Sequence, residues 1–143
     1  MQVTQVEWGS PFYQMTIELR NEILRKPLGL TFSPKDLASE KETLHFAILN
    51  EETSAIAAVC AQALSPRQWK IRQMAVALSH QKKGLGSQLI KSVLNTLIEK
   101  DAEEIILHAR EIAIPFYEKH GFTSTGPIFT EVGIPHRKMK KNL

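Results

Sequence analysis

The chain of 143 residues carries one cysteine, so no internal disulfide can form. That residue, Cys60, stands in "AIAAVCAQAL" (55–64), where a free thiol packs as a small hydrophobe; an inert, buried side chain is expected. No apolar run approaches the ~20 residues of a membrane span, and "MQVTQVEWGS" lacks the basic-then-apolar pattern of a signal peptide. The expectation is a cytoplasmic protein with no membrane partner. No His/Cys/Asp cluster has metal-ligand spacing, so no metal is expected either. Repeats, low-complexity stretches and linkers are missing, which leaves one domain over 1–143, long enough to bury a substantial core. Neither sign of charge dominates: 18 Lys and Arg against 15 Asp and Glu give a net charge of +3. That balance, with no aromatic-basic motif, does not call for nucleic acid. The tail cluster Arg137, Lys138, Lys140 and Lys141 suits a solvated face or a phosphorylated small ligand as well as it suits a nucleic acid.

What is present is alternation of strand and helix signals. "QVTQVEW" (2–8) has weak strand character. Ser10-Pro11 opens a helix whose Phe12, Met15, Leu19 and Ile23 share one face, and which should end before Pro27. "SPKDLASEK" (33–41) reads as a short helix capped by Ser33. "LHFAIL" and "SAIAAVCAQAL" flank the polar turn "NEETS" and form a hairpin. A turn at 65–67 leads into strand 68–76, where Trp69, Ile71 and Gln73 fall on one face. A helix from Gly84 to about Glu99 places Leu85, Leu89, Ile90, Val93, Leu94, Leu97 and Ile98 at 3.6-residue spacing. Strand 103–109, a short helix at 114–120 closed by Gly121, and two late strands around the loop "FTEVGIP" complete a mixed α/β chain.

The sharpest local feature is "QKKGLGS" (81–87) at the mouth of the long helix. A helix N-terminus offers unpaired backbone N–H groups and favours negative charge, and glycine lets an anion come close. A P-loop needs Lys-Ser/Thr directly after its last glycine, but Ser87-Gln88 follow Gly86. A dinucleotide fingerprint needs a small residue at position 89, which is Leu89. It also needs an acid at the end of the next strand, where His108 and Arg110 stand.

"QKKGLG" does fit Gln/Arg-x-x-Gly-x-Gly/Ala after strand "RQMAV", and "AIPFYEKHGF" (113–122) follows about thirty residues later. Together these segments resemble the two signatures of the GNAT superfamily of acyl-CoA-dependent N-acetyltransferases, specifically over 72–122 and more loosely along the whole chain. The resemblance implies a mostly antiparallel central sheet flanked by helices, with strands splayed at the acetyl-CoA site. It implies transfer of an acetyl group from acetyl-CoA to a primary amine by direct attack in a ternary complex. The amides of Lys82, Gly84, Gly86 and Ser87 would cradle the pyrophosphate, in a loop that also contains Gln81, Lys83 and Leu85. Lys82 and Lys83 would add charge. The backbone of Val76 would pair with the pantetheine arm, and the Met74 amide would donate to the acetyl carbonyl. Strand 68–76 would part from strand 103–109, with the thioester in the gap. Many relatives carry asparagine seven residues before the signature tyrosine; here that position is Arg110, so the asparagine contact does not carry over.

Tyr117 matches the tyrosine that often supplies a proton to the departing thiolate, against the alternative of a core aromatic. "FTEVGIPHRKM" (129–139) resembles the Glu-x-Gly-Ile-Pro-His segment of a subgroup of small bacterial relatives. Glu131 and His136 are therefore base or ammonium-binding candidates; the alternative is that Glu131 fixes the loop and His136 begins a strand. His45 and His108, on strands, are expected to be structural, and His120, at a helix C-terminus, is placed to be a cation. The lone buried cysteine argues against an acyl-enzyme. The amine acceptor, small molecule or peptide, is open, and a homodimer is compatible. A non-catalytic acyl-CoA-binding module is the second reading.

Overall fold

A computed structural model describes residues 2–51 and 54–143. Its seven strands form one sheet, β1 (Val3–Val6), β2 (Leu44–Asn50), β3 (Ser54–Ala63), β4 (Gln68–Val76), β5 (Glu104–Arg110), β6 (Thr123–Glu131) and β7 (Ile134–Asn142). The spatial order is β1-β2-β3-β4-β5-β7-β6, and every neighbouring pair is antiparallel except β4–β5. Part of the turn expected at 50–54 lies outside the described residues. No helix among the described residues is long and apolar enough to cross a membrane.

Helix α3 (Leu85–Glu99) covers one sheet face because Leu85, Leu89, Ile90, Val93 and Leu97 recur at helical spacing and are all buried. They pack on Phe46, Val59, Trp69, Ile71, Ile105, Leu107 and Met139. Full burial of each large aliphatic side chain contributes roughly 1.5–3 kcal/mol, so this layer is the main source of stability. Helix α1 (Pro11–Arg20) lies on the opposite face, started by Pro11 and by Ser10, whose Oγ accepts from the Tyr13 amide. Its Leu19 packs on Ala55, Ala58 and Ala75, small residues that let a helix sit close to the strands. The helical path does not stop before Pro27. It continues as a π-helical turn (Asn21–Arg25) and a 3₁₀ turn (Lys26–Leu28) that accommodates Pro27 and ends at Gly29. Helix α2 (Pro34–Ala38) carries the capping box that Ser33 and Asp36 encode. Helix α4 (Ile114–Lys119) follows β5.

Two departures from the sequence-based expectations shape the middle and the far edge of the sheet. The segment 129–135 is not an open loop: β6 runs to Glu131, β7 begins at Ile134, and Val132 and Gly133 make the turn with φ of 46° and 75°. Two consecutive positive φ values are the hairpin geometry that matches strand twist. Gln73 also leaves the face of Trp69 and Ile71. Between the pairs Ala58↔Ala75 and Cys60↔Arg72, one residue of β3, Val59, opposes two of β4, Gln73 and Met74. Gln73 takes a φ of 56° in this bulge, which turns its side chain toward α1.

Candidate active site

The bulge coincides with the loss of pairing between two strands. β4 and β5 are joined from Gln68↔Glu104 to Ile71↔Leu107 and no further. Beyond that point β4 stays with β3 through Val76, and β5 stays with β7 through Arg110↔His136. The edges of 72–76 and 108–110 therefore face each other unpaired. A groove of about 1080 Å³ opens there, lined by Met74, Val76, Gln81, Lys82, Gly84, Gly86, Ser87, Arg110, Tyr117, Glu131 and His136 among others. Residues from five separate sequence segments meet in it.

The glycine loop forms the end of the groove nearest α3. Gly84 caps α3 with a φ of 81°, and a Cβ added there would meet nothing within 4 Å. The backbone is thus shaped by a glycine and open to a ligand. Lys82, exposed, also holds a positive φ of 63°. Gly86 also serves packing. A Cβ on it would come within 3.1 Å of the Phe116 ring, so its bareness lets α4 approach α3. Leu85 puts its side chain into the core, and Lys83 does not line the groove. Gln81 donates from Nε2 to the Val76 carbonyl at 3.0 Å and ties the loop to the end of β4. The Ser87 hydroxyl meets His120 Nε2 at 3.0 Å. Burial and the charges of Lys91, Lys119 and Lys141 hold the His120 imidazole below the ordinary value, against the cationic form that its helix end favours.

Tyr117 sits on the floor of the groove. It is buried against Phe116 and Phe122, with ring centroids 5.0 and 5.9 Å away. Burial pushes its phenol up to about 12, so the hydroxyl stays protonated through the neutral range. No protein group among the described residues accepts its hydrogen bond. Packing and an available proton coexist in one side chain.

At the far end Glu131 lies between two histidines. His108 Nδ1 is 3.0 Å from Glu131 Oε1, and His136 Nε2 is 3.7 Å from Oε2. His136 is buried, and its Nδ1–H donates to the Ile134 carbonyl at 2.8 Å. That bond leaves Nε2 of the neutral ring without a proton, its lone pair on the side of the carboxylate. Phe129 stacks on His136 at 6.1 Å and meets His108 edge-on at 5.0 Å, fixing both rings. Burial raises the Glu131 carboxyl, but the His108 hydrogen bond and the neighbouring His108, His136 and Lys70 outweigh it, and the net direction is down. His108, expected to be structural, belongs to this cluster. Its alternation with Leu107 and Ala109 was visible in sequence; the hairpin that brings Glu131 opposite it was not.

A second polar cluster underlies the bulge. Arg20, fully buried, donates from Nη1 and Nη2 to both oxygens of Glu40, at 2.8 and 3.0 Å, and from Nη1 to Gln73 Oε1 at 2.7 Å. Tyr13 and Gln73 donate to the same carboxylate at 2.7 and 3.2 Å. His45 Nε2–H donates to the Glu40 carbonyl at 3.1 Å, so its Nδ1 accepts from the Cys60 thiol 3.3 Å away. Burial pushes that thiol up to about 12, which makes Cys60 inert. The cluster holds Gln73, and through it the bulge that carries Met74. Among the described residues no group of three or more His, Cys, Asp or Glu is arranged to hold a metal ion.

The glycine loop, the parted strands and the exposed Gly84 backbone fit a phosphate-bearing thioester. Residues 31–143 match the family model described as an acetyltransferase (GNAT) domain. The uncharacterized N-acetyltransferase YjcF of Bacillus subtilis (strain 168) is 34% identical over 74 residues, 51% of this chain and 53% of that protein. The chain thus spans about half the length of the curated relatives it matches. Escherichia coli ElaA has the same fold, with a TM-score of 0.83 at 17% identity and 99% coverage of both chains. So does an aminoglycoside 6'-N-acetyltransferase complexed with coenzyme A, with a TM-score of 0.80 at 13% identity over 99% of this chain and 97% of that one. With the fold, the glycine loop and a family match over most of its length in agreement, this chain belongs to the GNAT acetyltransferase family.

Proposed function

We propose that the protein transfers the acetyl group of acetyl-CoA to a primary amine, by direct attack within a ternary complex. The observation that carries this reading is the convergence of the glycine loop, the unpaired β4 edge, Tyr117 and the Glu131–His136 pair on one groove. The amides of Lys82, Gly84, Gly86 and Ser87 would hold the pyrophosphate, with Lys82 adding charge. Val76 and Arg110 would lie along the pantetheine arm, and the Met74 amide would face the acetyl oxygen, where negative charge grows. Acetyl-CoA supplies an activated thioester carbonyl.

The chain's own groups handle the protons. Glu131 would attract the ammonium form of the acceptor, which would first lose one proton to solvent to free its lone pair; His136 Nε2 would then take a proton from the resulting amine as its nitrogen bonds to the acetyl carbon. As the carbon–sulfur bond breaks, the Tyr117 hydroxyl would give its proton to the departing thiolate and then regain one from solvent. The proton lost by the amine thus balances the one gained by sulfur. The absence of an accessible thiol near this groove agrees with direct attack, since Cys60 is buried beneath α1.

The experiment is a thiol-release assay with acetyl-CoA and a panel of primary amines, with mass detection of the acetylated amine. Amine-dependent release with a matching acetyl product is expected. Tight acetyl-CoA binding with no amine-dependent release across the panel would establish the alternative, a non-catalytic acyl-CoA-binding module.

A further inference from the structure

Beyond the thioester end, the groove is unevenly charged. Along β4 the order is Lys70, Arg72, the bulge at Gln73 and Met74, Val76, and then the glycine loop. A coenzyme anchored at the loop and reaching the bulge leaves Lys70 and Arg72 on the acceptor side. The π-helical turn supplies Ile23, Leu24 and Arg25 to the same wall. Such turns are frequent at functional sites. Of the described residues that line the groove, Glu131 is the only carboxylate, against six lysines and arginines.

Lys82 in the loop, Arg110 beside the pantetheine path and Lys119 on α4 are spoken for by the coenzyme end. Arg25, Lys70 and Arg72 are not. None of the three has a carboxylate within ion-pair distance among the described residues; Arg72 bonds only the neutral Gln62 amide. The Arg25 guanidinium lies 4.7 Å from the Phe32 ring centroid, and its Nε is buried with no hydrogen-bond partner. A buried N–H of that kind costs about 1–3 kcal/mol unless something accepts from it. Lys70 is half-buried, and burial together with Arg72 depresses its ammonium, while Glu131 opposes the depression. These are cations held ready without anions.

We infer that the acceptor is a primary amine that itself carries an anionic group, a carboxylate or a phosphate, which Arg25 and Lys70 bind while Glu131 takes the amine. A planar guanidinium and an ammonium lining one groove suit either oxyanion. A polyamine or another polycation would meet repulsion from Arg25, Lys70 and Arg72 with only Glu131 to offset it. This inference rests on the acetyltransferase reading and narrows its substrate class.

The test compares L-amino acids with their carboxamides, O-phosphoethanolamine with ethanolamine, and spermidine, all at one ionic strength. Turnover should favour the anionic member of a pair by tenfold or more in kcat/KM, with spermidine a poor acceptor. The carboxylate pairs and the phosphate pair report separately on the two oxyanions. Arg25→Gln and Lys70→Gln should each narrow that ratio severalfold, mainly through KM. Carboxamides, ethanolamine or spermidine used as well as the anionic amines would overturn the inference. So would variants that leave the ratio intact. A second readout needs no turnover: L-glutamate and O-phosphoethanolamine should raise the melting temperature of the coenzyme A-loaded wild type more than that of Arg25→Gln. If no amine is acetylated yet that difference appears, the catalytic reading falls and the anion site stands. If turnover occurs with no preference and no such difference, the anion site falls and the catalytic reading stands.

Discussion

Two polar clusters stand on the same face of the sheet and are built from similar parts. The pairs His45↔Cys60↔Arg72 and Lys70↔Ile106, with His108↔Lys138 and Arg110↔His136, put them side by side on one surface. One, around Arg20 and Glu40, is roofed by α1. The other, around Glu131, is open to the groove. In the roofed cluster every oxygen of Glu40 is bonded, from Arg20, Tyr13, Gln73 and His45. Around the open cluster, among the described residues, His136 Nε2 lacks a donor partner, the Tyr117 hydroxyl has no acceptor, and Arg25 Nε is unpaired. Complete satisfaction describes a strut; unmet hydrogen-bonding capacity beside a groove describes a site waiting for a ligand. Burial alone does not separate the two, since His45 and His136 are both buried.

That contrast should appear most strongly in stability. Glu40→Gln leaves the Arg20 charge buried with half a partner and should cost about 3–5 kcal/mol in urea unfolding. Its pH dependence follows from sign. Burial alone would raise the Glu40 carboxyl, but the Arg20 bond and charge hold it below the usual range. Its stabilisation is therefore present above the unfolded value of about 4.3 and lost as pH falls through the lower folded value. The variant should lack that part of the acid transition. Unchanged unfolding would remove the strut from the account.

Tyr117→Phe keeps the ring packing and deletes the proton. It should lower kcat by about 100-fold, with acetyl-CoA affinity and unfolding nearly unchanged. Wild-type turnover would reduce Tyr117 to a core aromatic.

Glu131→Gln should mirror Glu40→Gln. Its carboxylate is partly exposed, so unfolding should shift by less than about 0.5 kcal/mol. The acceptor KM should rise about tenfold, equivalent to about 1.4 kcal/mol, as expected for a lost ammonium contact. A stability loss with unchanged acceptor kinetics would exchange the roles of the two clusters.

Much of this was legible in the chain. The 3.6-residue period of 85–97 and the caps at Ser10 and Ser33 specify their helices locally, and "QKKGLG" with "PFYEKHGF" marks the proposed coenzyme end. The acceptor end was less so. Gln73 reads as an inward strand residue until the bulge turns it, because bulge formation depends on Arg20 and Glu40, distant in sequence. Gly86 reads as an anion-cradle glycine, while its missing Cβ answers the Phe116 ring. His108 and Arg25 carry no local motif; the parting of β5 from β4 and the π-helical turn bring them to the groove. Contacts made at long range across the sheet leave no short-range signature.

The central claim, that the parted strands and the glycine loop make the coenzyme site, is tested most directly by calorimetric titration of acetyl-CoA into wild type and Gly84→Val. A branched residue at a φ of 81° costs about 1–2 kcal/mol locally and redirects the amides beyond it. The expected result is one site per chain in wild type and affinity at least tenfold weaker in a variant that remains folded. Equal affinity in the folded variant would contradict the account.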